Sequence, residues 1–216
     1  CGSIWAYGPS VSVPTTEDGP HAEPLGDYGR GKRGIEWYLL RELAPPPFPR
    51  VVFHPGHIVG RGWAPLNPAG HFDPAVFASL RDGTPGALPN PGLERVHHVH
   101  ADDIASAVLV AIAAPAKADG QAFSVVSPQA LTLRGFARAI ADATWPGGGG
   151  AAPRLDFLPC PSPEFEARVG AGSAALSLEH ARHSPCCSVD KLRRVLGVAP
   201  RWSSVEAVAD AVRWLD

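Results

Sequence analysis

The chain has 216 residues, of which 45% are hydrophobic and 19% are charged, and its formal net charge at pH 7 is -2. This length and composition are typical of a soluble globular protein with a sizeable core. A slightly negative chain without basic runs gives no electrostatic reason to expect a nucleic acid as partner. No apolar run is long enough to span a bilayer, so we expect no membrane partner either.

The four cysteines are unevenly spaced, at Cys1, Cys160, Cys186 and Cys187. Their spacing does not resemble paired metal-binding cysteines, and adjacent cysteines rarely bridge each other. We therefore expect reduced thiols in a cytoplasmic protein. A vicinal redox pair at Cys186 and Cys187 is the alternative, and it requires an exposed, reactive thiol.

Tyr28 and Lys32 lie near the start of a segment that predicts a helix capped by Asp27 and running to about Leu43. Residues four apart share one face of a helix. A cation beside a phenol favours the phenolate, which makes a tyrosine a better acid–base catalyst near neutral pH. The alternative is an amphipathic helix with one aromatic residue and one solvated lysine.

The apolar residues of this helix recur at steps of three and four and predict a stripe that faces the core. They are Ile35, Tyr38, Leu39 and Leu43. The proline run at 45–47 then ends the helix.

An apolar segment, Cys1-Gly2-Ser3-Ile4-Trp5-Ala6-Tyr7-Gly8, precedes the helix, and Ser3 is predicted to end a buried strand. This segment and the Tyr-x-x-x-Lys helix resemble the extended short-chain dehydrogenase/reductases, also called NAD-dependent epimerase/dehydratases. In that family a Ser-x-x-x-Tyr-Gly segment ends a core strand, and a Tyr-x-x-x-Lys helix follows at about this distance. The resemblance places Ser3, Tyr28 and Lys32 on the family's catalytic triad.

Three further segments extend the resemblance over nearly the whole chain. Residues 50–60 look like the next core strand and its Pro-Gly turn, which lies beside the nicotinamide. Residues 96–105 look like a His-Val-x-Asp segment, and residues 188–215 resemble the family's last two helices. The implied fold is α/β: a partial doubly wound parallel sheet (Rossmann-like) with a smaller mixed α/β substrate lobe.

The resemblance also implies a domain organisation. We expect residues 1–60 to form the remainder of a dinucleotide-binding domain with the catalytic motif. Residues 61–216 are expected to form mainly the substrate-binding lobe, with 121–143 returning to the Rossmann sheet.

The family's Gly-x-x-Gly-x-x-Gly turn between a strand and a helix is not found in the sequence. Gly29, Gly31 and Gly34 fall inside the predicted helix, and the run from Gly147 to Gly150 follows no apolar strand. The glycine run is predicted to be a flexible surface loop. By comparison with the family, we expect a C-terminal fragment that lacks the N-terminal glycine-rich nucleotide-binding part.

The resemblance implies NAD or NADP as cofactor and assigns roles to the triad. Tyr28 would act as general acid–base, Ser3 would bind the same substrate oxygen, and Lys32 would support the phenolate and hold the nicotinamide ribose. The implied cofactor-binding residues are Tyr28, Lys32, Pro55 and Gly56. The implied substrate-binding residues are Tyr7, His57, Trp63 and Asn67, with a satisfied turn histidine as the alternative for His57.

The implied activity is that of an NAD(P)-dependent epimerase, dehydratase or reductase acting on a hydroxyl or carbonyl of a small-molecule, sugar-like substrate. The alternative is a non-catalytic remnant or binding subunit that does not hold the dinucleotide alone. A homodimer is expected through the Tyr28–Leu43 helix. Nucleotide-sugar members carry a phosphate-binding Arg at the position of Val96, whereas here the arginine is Arg95, one place away and on the opposite strand face.

His97, His98 and His100 raise a metal-site interpretation. On a strand, His98 and His100 share one face while His97 points the other way, and no nearby Cys or Glu completes a tetrahedral set. We expect no metal and a structural role for these residues.

The remaining pattern predicts further helices and strands. Strands are expected at 50–54, 121–126 and 154–158. Helices are expected at 73–80, 102–114, from Thr132 onward, from a Ser188 cap to Leu196, and from a Ser204 cap to Leu215. Residues 159–183 are expected to be variable loop and short helix.

Overall fold

The computed structural model describes residues 1–43, 48–145 and 153–215. The predicted loop at 147–150 and the proline run at 45–47 lie outside these residues. The α-helices are α1 (Gly26–Trp37), α2 (Ala75–Asp82), α3 (Ala101–Ala113), α4 (Pro115–Ala118), α5 (Leu133–Thr144), α6 (Pro163–Val169), α7 (Ala171–His183), α8 (Asp190–Leu196) and α9 (Ser204–Leu215). The strands are β1 (Val51–Pro55), β2 (His57–Val59), β3 (Gly86–Pro89), β4 (Arg95–Val96), β5 (His98–His100), β6 (Gln121–Val125), β7 (Leu131–Thr132) and β8 (Leu155–Leu158). A 3-10 helix spans Ile4–Tyr7, and a π-helix spans Tyr38–Glu42 directly after α1.

The strands pair mostly in parallel. β1 pairs with β6 from Val51 and Gln121 to Pro55 and Val125. β2 pairs with β5, and β3 pairs with β8, also in parallel, while β4 and β7 form a short antiparallel pair. Parallel neighbours need long crossover connections, and helices supply them here. The predicted α/β class with a parallel, Rossmann-like sheet is confirmed.

Buried apolar residues form two groups. The first surrounds β1 and β6 and includes Phe123 of β6, with α3 and α8 packed against it. The second lies between α2, α5 and α9, where Phe136 and Val208 are fully buried. The division between residues 1–60 and 61–216 stays a prediction.

α1 does not pack through its predicted apolar stripe. Ile35 is 51% exposed and Tyr38 is 52% exposed, so the prediction that they enter the core is wrong for the described chain. The helix instead contacts the 3-10 helix through the buried Gly29, where a Cβ would lie 2.9 Å from the Trp5 carbonyl oxygen. The predicted Asp27 cap is also corrected: the helix begins at Gly26, and Asp27 lies in its first turn.

The first segment is not a regular strand. Gly2 donates its amide to the Phe53 carbonyl at 2.7 Å, which holds the segment beside β1. Ser3 is extended, with φ -165°, and caps the 3-10 helix by accepting from the Trp5 amide at 3.2 Å. The predicted strand end at Ser3 is therefore the start of a turn of helix.

Several predicted helices and caps are confirmed. Gly83 closes α2 in the left-handed region, and Thr132 caps α5. The predicted Asp73 cap is corrected: α2 begins at Ala75 after Pro74, and Asp73 only accepts from the Ala75 amide one residue before the cap position. The predicted Ser204 cap is wrong, because Ser203 and Glu206 exchange the capping hydrogen bonds of α9.

Residues 159–183 are more regular than the sequence predicts. They hold two helices, α6 and α7, separated by Gly170 at φ 84°. None of the helices described here has the length and apolar character needed to cross a membrane.

Candidate active site

A cavity of about 630 Å³ lies between the first segment, α1, the turn from β1 to β2, and α7. Its volume is within the range of pockets that bind small molecules. The side chains of Ser3, Tyr28 and Lys32 all line it. Three residues that the sequence separates into two segments are thus brought together.

Tyr28 and Lys32 lie one turn apart on α1 and face this cavity. The Tyr28 side chain is exposed, and the Lys32 ammonium lies 5.5 Å from its ring centroid. Lys32 Nζ also donates to the Cys1 carbonyl oxygen at 3.1 Å. The ammonium therefore lies near the Tyr28 ring and is held beside the segment that carries Ser3.

Ser3 is buried and lines the cavity. Its hydroxyl oxygen accepts a hydrogen bond from the Trp5 amide, which leaves the hydroxyl hydrogen free to be donated. An oxygen atom bound in the cavity can therefore receive a hydrogen bond from Ser3.

Arg33 fixes the position of α1 relative to the first segment. Its guanidinium donates to the carbonyl oxygens of Ala6 at 2.8 Å and Ala22 at 2.6 Å. Planar guanidinium groups suit such multiple contacts. These bonds hold α1, which carries Tyr28, against the first segment and the loop before the helix.

Trp5 connects α7 to Tyr28. Its ring stacks on His183 with centroids 4.0 Å apart, and it meets the Tyr28 ring edge-on at 5.8 Å. It also makes an edge contact with His180. Such aromatic pairs add stabilisation beyond the area that they bury.

Pro55 and Gly56 form another edge of the cavity. The Gly56 amide donates to the Val125 carbonyl at 3.0 Å, and a Cβ at this position would collide with the His97 carbonyl. The backbone here approaches its neighbour so closely that the turn requires glycine.

His57 and Trp63, both predicted to bind substrate, line the cavity as well. Nδ1 of His57 lies 3.2 Å from the His97 carbonyl oxygen, while its buried Nε2 has no hydrogen-bond partner among the described residues. Burial lowers the pKa of His57 well below its ordinary value, and the neighbouring His180 and His98 add to this effect. The ring is therefore neutral near pH 7.

The structure places the other two predicted substrate-binding residues outside the cavity lining. Tyr7 is buried, its hydroxyl lies 3.0 Å from Ser124 Oγ, and burial raises the pKa of its phenol well above the ordinary value. Asn67 is fully buried and bonds to the Ala69 amide and the Asp73 carbonyl. We therefore leave both residues out of the proposed site.

The three clustered histidines have structural contacts. His97 Nε2 lies 2.8 Å from the Ser127 carbonyl, and His98 Nε2 lies 3.3 Å from the Leu66 carbonyl. His100 caps α3 by accepting from the Asp102 amide. Within the described residues no group of three or more metal-ligating side chains is assembled.

The cysteines of the predicted redox alternative differ in environment. Cys187 is buried, and burial raises the pKa of its thiol well above the ordinary value, while Cys186 is partly exposed. Both are free thiols. A buried thiol of raised pKa is a poor nucleophile, so the geometry does not favour a reactive vicinal pair.

The sequence model of the NAD dependent epimerase/dehydratase family matches residues 1–125. The chain belongs to this family. The matched range includes Ser3, Tyr28 and Lys32 and the Pro55–Gly56 turn. A comparison with curated proteins gave no match.

Solved structures with the same fold include an epimerase and a dehydratase. UDP-glucose 4-epimerase from Thermotoga maritima, solved with UDP-glucose, has a TM-score of 0.69 at 20% identity, over 99% of this chain and 61% of its own. dTDP-glucose 4,6-dehydratase from Bacillus anthracis str. Ames, solved with NAD, has a TM-score of 0.71 at 14% identity, over 99% and 59%. Pal from Bacillus thuringiensis has a TM-score of 0.67 at 17% identity, over 99% and 60%.

At these identities the likeness shows the fold alone. The present member of the epimerase/dehydratase family spans about 60% of the length of these three structures.

The cavity lining includes the exposed Tyr28, the Lys32 ammonium and the Pro55–Gly56 edge. The literal Gly-x-Gly-x-x-Gly pattern of Gly29, Gly31 and Gly34 lies inside α1 and does not precede a helix. Among the described residues, it therefore does not form a pyrophosphate cradle of the usual kind.

Sequence reasoning missed part of the cavity wall. α7 contributes Leu176, Glu179 and His180, and the loop before α2 contributes Phe72. No motif marks these residues, and the segment 159–183 has weak periodicity. Apolar residues that recur every three or four positions identify a helix, but they do not show which turn of that helix lines a cavity.

Proposed function

We propose that this chain carries the catalytic and nicotinamide-side residues of an NAD(P)-dependent oxidoreductase of the epimerase/dehydratase/reductase type. The observation that carries the proposal is the convergence of Ser3, Tyr28 and Lys32 on one cavity. The proposed substrate is a small molecule with a hydroxyl or carbonyl group. Epimerisation, dehydration and reduction all use this set of side chains, so the set itself does not distinguish them.

In the proposed reaction, Tyr28 gives or takes a proton at the substrate oxygen. The Ser3 hydroxyl donates a hydrogen bond to the same oxygen and stabilises the charge that develops there. Lys32, whose ammonium lies 5.5 Å from the Tyr28 ring centroid, binds the hydroxyls of the nicotinamide ribose. The dinucleotide, when bound, supplies or accepts the hydride.

The Pro55–Gly56 edge is proposed to contact the nicotinamide. Its backbone is fixed by the bond from Gly56 to Val125 and by the close approach to His97. A rigid edge of this kind orients a planar ring without spending side-chain entropy.

The test is a titration of the 216-residue chain with reduced nicotinamide mononucleotide, in which binding is monitored by the quenching of tryptophan fluorescence. We expect saturable binding that Lys32→Ala weakens at least fivefold, because the ribose contact is lost. Lys117→Ala is the matched control, since Lys117 is exposed and lies outside the cavity. Equal affinities for wild type and Lys32→Ala would contradict the proposal.

A second candidate is a binding subunit or remnant that does not hold a dinucleotide by itself. It is favoured by the position of Gly29, Gly31 and Gly34 inside α1. If this candidate is correct, NADH binds no more tightly than reduced nicotinamide mononucleotide. Saturable binding of NADH in the low-micromolar range would overturn it.

A further inference from the structure

The part of the cavity beyond Pro55 and Gly56 has an unusual surface. Four large apolar side chains that are partly exposed line this part of the cavity: Ile58, Trp63, Phe72 and Leu176. Trp63 is 63% exposed and Phe72 is 40% exposed. Exposed apolar residues that gather around a concave surface mark a binding site more often than they occur by chance.

The rings of this wall are uncharged. His180 is buried against Trp5 and Phe72 and lies 5.1 Å from the His57 ring. Its Nδ1 is 2.8 Å from the Leu176 carbonyl oxygen. Burial lowers the pKa of His180 to about 4. Near neutral pH both imidazoles therefore act as flat, neutral surfaces.

The charges at the cavity do not suit a diphosphate. Lys32 and Glu179 are the charged side chains among the described lining residues, and Lys32 is committed to the Tyr28 side. A carboxylate such as Glu179 repels phosphate groups, which proteins bind with Arg, Lys or helix amides. Arg95 is not among the lining residues, and its Nε donates to Ser184 Oγ at 3.3 Å. Val96, at the position where nucleotide-sugar members carry arginine, is fully buried.

Resting on the proposed function, we infer that the substrate of this site is a small uncharged aromatic alcohol or ketone rather than a nucleoside diphosphate sugar. The aromatic ring packs against Trp63, Phe72 and His180, and the oxygen reaches Tyr28 and Ser3. In the reductive direction, hydride from the reduced nicotinamide adds to the carbonyl carbon. The proton from Tyr28 goes to the oxygen, so the ketone becomes the alcohol and the nicotinamide becomes oxidised.

The inference is tested by saturation-transfer NMR with 1-phenylethanol as probe and UDP-glucose as competitor. We expect saturable binding of 1-phenylethanol that a tenfold excess of UDP-glucose does not displace. Trp63→Ala is expected to weaken this binding about tenfold, since one large aromatic contact is lost. Trp214→Ala is the matched control, because Trp214 is 52% exposed and lies outside the cavity.

Displacement of 1-phenylethanol by UDP-glucose would overturn the inference, as would unchanged binding in Trp63→Ala. Phe72→Ala provides a second, independent variant in the same wall.

The titration with reduced nicotinamide mononucleotide separates the two proposals. If the mononucleotide binds through Lys32 and UDP-glucose displaces the probe, the substrate class is wrong and the oxidoreductase proposal stands. If the probe binds and the mononucleotide does not, the oxidoreductase proposal fails while the aromatic site remains.

Discussion

The Glu36 carboxylate lies 3.1 Å from Nε2 of the fully buried His54 ring. Nδ1 of the same ring lies 2.9 Å from the carbonyl oxygen of Ser3 and 3.2 Å from its amide nitrogen. Burial raises the pKa of Glu36, but the interaction with His54 outweighs it, so the pKa lies below its ordinary value. One imidazole ring thus connects α1 to the backbone of the proposed catalytic serine.

Glu36→Gln removes the charge that pairs with His54. A carboxylate whose pKa is lowered in the folded state stabilises that state at pH values above its ordinary pKa of 4.5. This stabilisation is lost as the pH falls through the lowered pKa. We expect a loss of about 1–2 kcal/mol in the free energy of unfolding at pH 7. Urea unfolding at several pH values measures it. Asp142→Asn, at an exposed position of α5, is the control and should cost little; an equal loss in both variants would contradict the prediction.

Acid destabilisation is expected from the buried histidines. Burial lowers the pKa of His97 to about 4, of His98 to about 3 and of His180 to about 4, against an ordinary value of 6.5. Below pH 6.5, each of these histidines binds a proton when the chain unfolds. The free energy of unfolding is therefore greatest above pH 6.5 and decreases as the pH falls below this value. The slope is about 1.4 kcal/mol per pH unit for each residue.

Urea unfolding between pH 7.5 and about 5 measures this slope. The substitution His98→Gln should reduce the slope of the free energy of unfolding against pH by the contribution of one histidine. This reduction is expected whether or not the substitution changes the stability at pH 7. A pH-independent stability over this interval would refute the prediction.

Two glycines should respond in opposite directions to alanine. Gly56→Ala brings a methyl group against the His97 carbonyl, and we expect a loss of at least about 2 kcal/mol. Gly31→Ala fills open space in the middle of α1, and we expect a gain of about 0.5–1 kcal/mol. Thermal unfolding of the two variants provides the comparison, and a shift of the same sign in both would show that the local packing is misjudged.

The exposed apolar face of α1 predicts self-association. Ile35 and Tyr38 are about half exposed, and Trp37 beside them is 58% exposed. We expect a homodimer through the Tyr28–Leu43 segment, which Ile35→Lys converts to a monomer. Sedimentation velocity distinguishes the two states. Leu109→Lys, at a 66% exposed position on α3, should leave the dimer intact; a monomeric wild type would refute the prediction.

Local sequence signals predicted much of the fold. The β-branched run at Val51 and Val52 marks a buried strand because it is too short for a helix, and Thr132 marks the start of α5 because its hydroxyl caps the helix. The spacing of Tyr28 and Lys32 was sufficient to place both on one face of α1. These features depend on neighbours within a few residues along the chain.

Features that depend on distant partners were not predictable. The stripe at Ile35 has the period of a buried face, yet the partner of α1 is the first segment at Gly29. Tyr7 carries a polar group that suits a site, but Ser124, more than a hundred residues away, binds it instead. Asn67 is likewise satisfied by its own loop.

The cavity walls come from parts of the chain that are far apart, from Ser3 to His180. Such a pocket exists only when all of these parts are folded together. A ligand that binds there binds only the folded state, so it shifts the folding equilibrium toward that state and raises the melting temperature of the whole chain. Ligands of this site can therefore be found without an assay of enzymatic activity, because an increase in the melting temperature of the intact chain shows that the site is occupied.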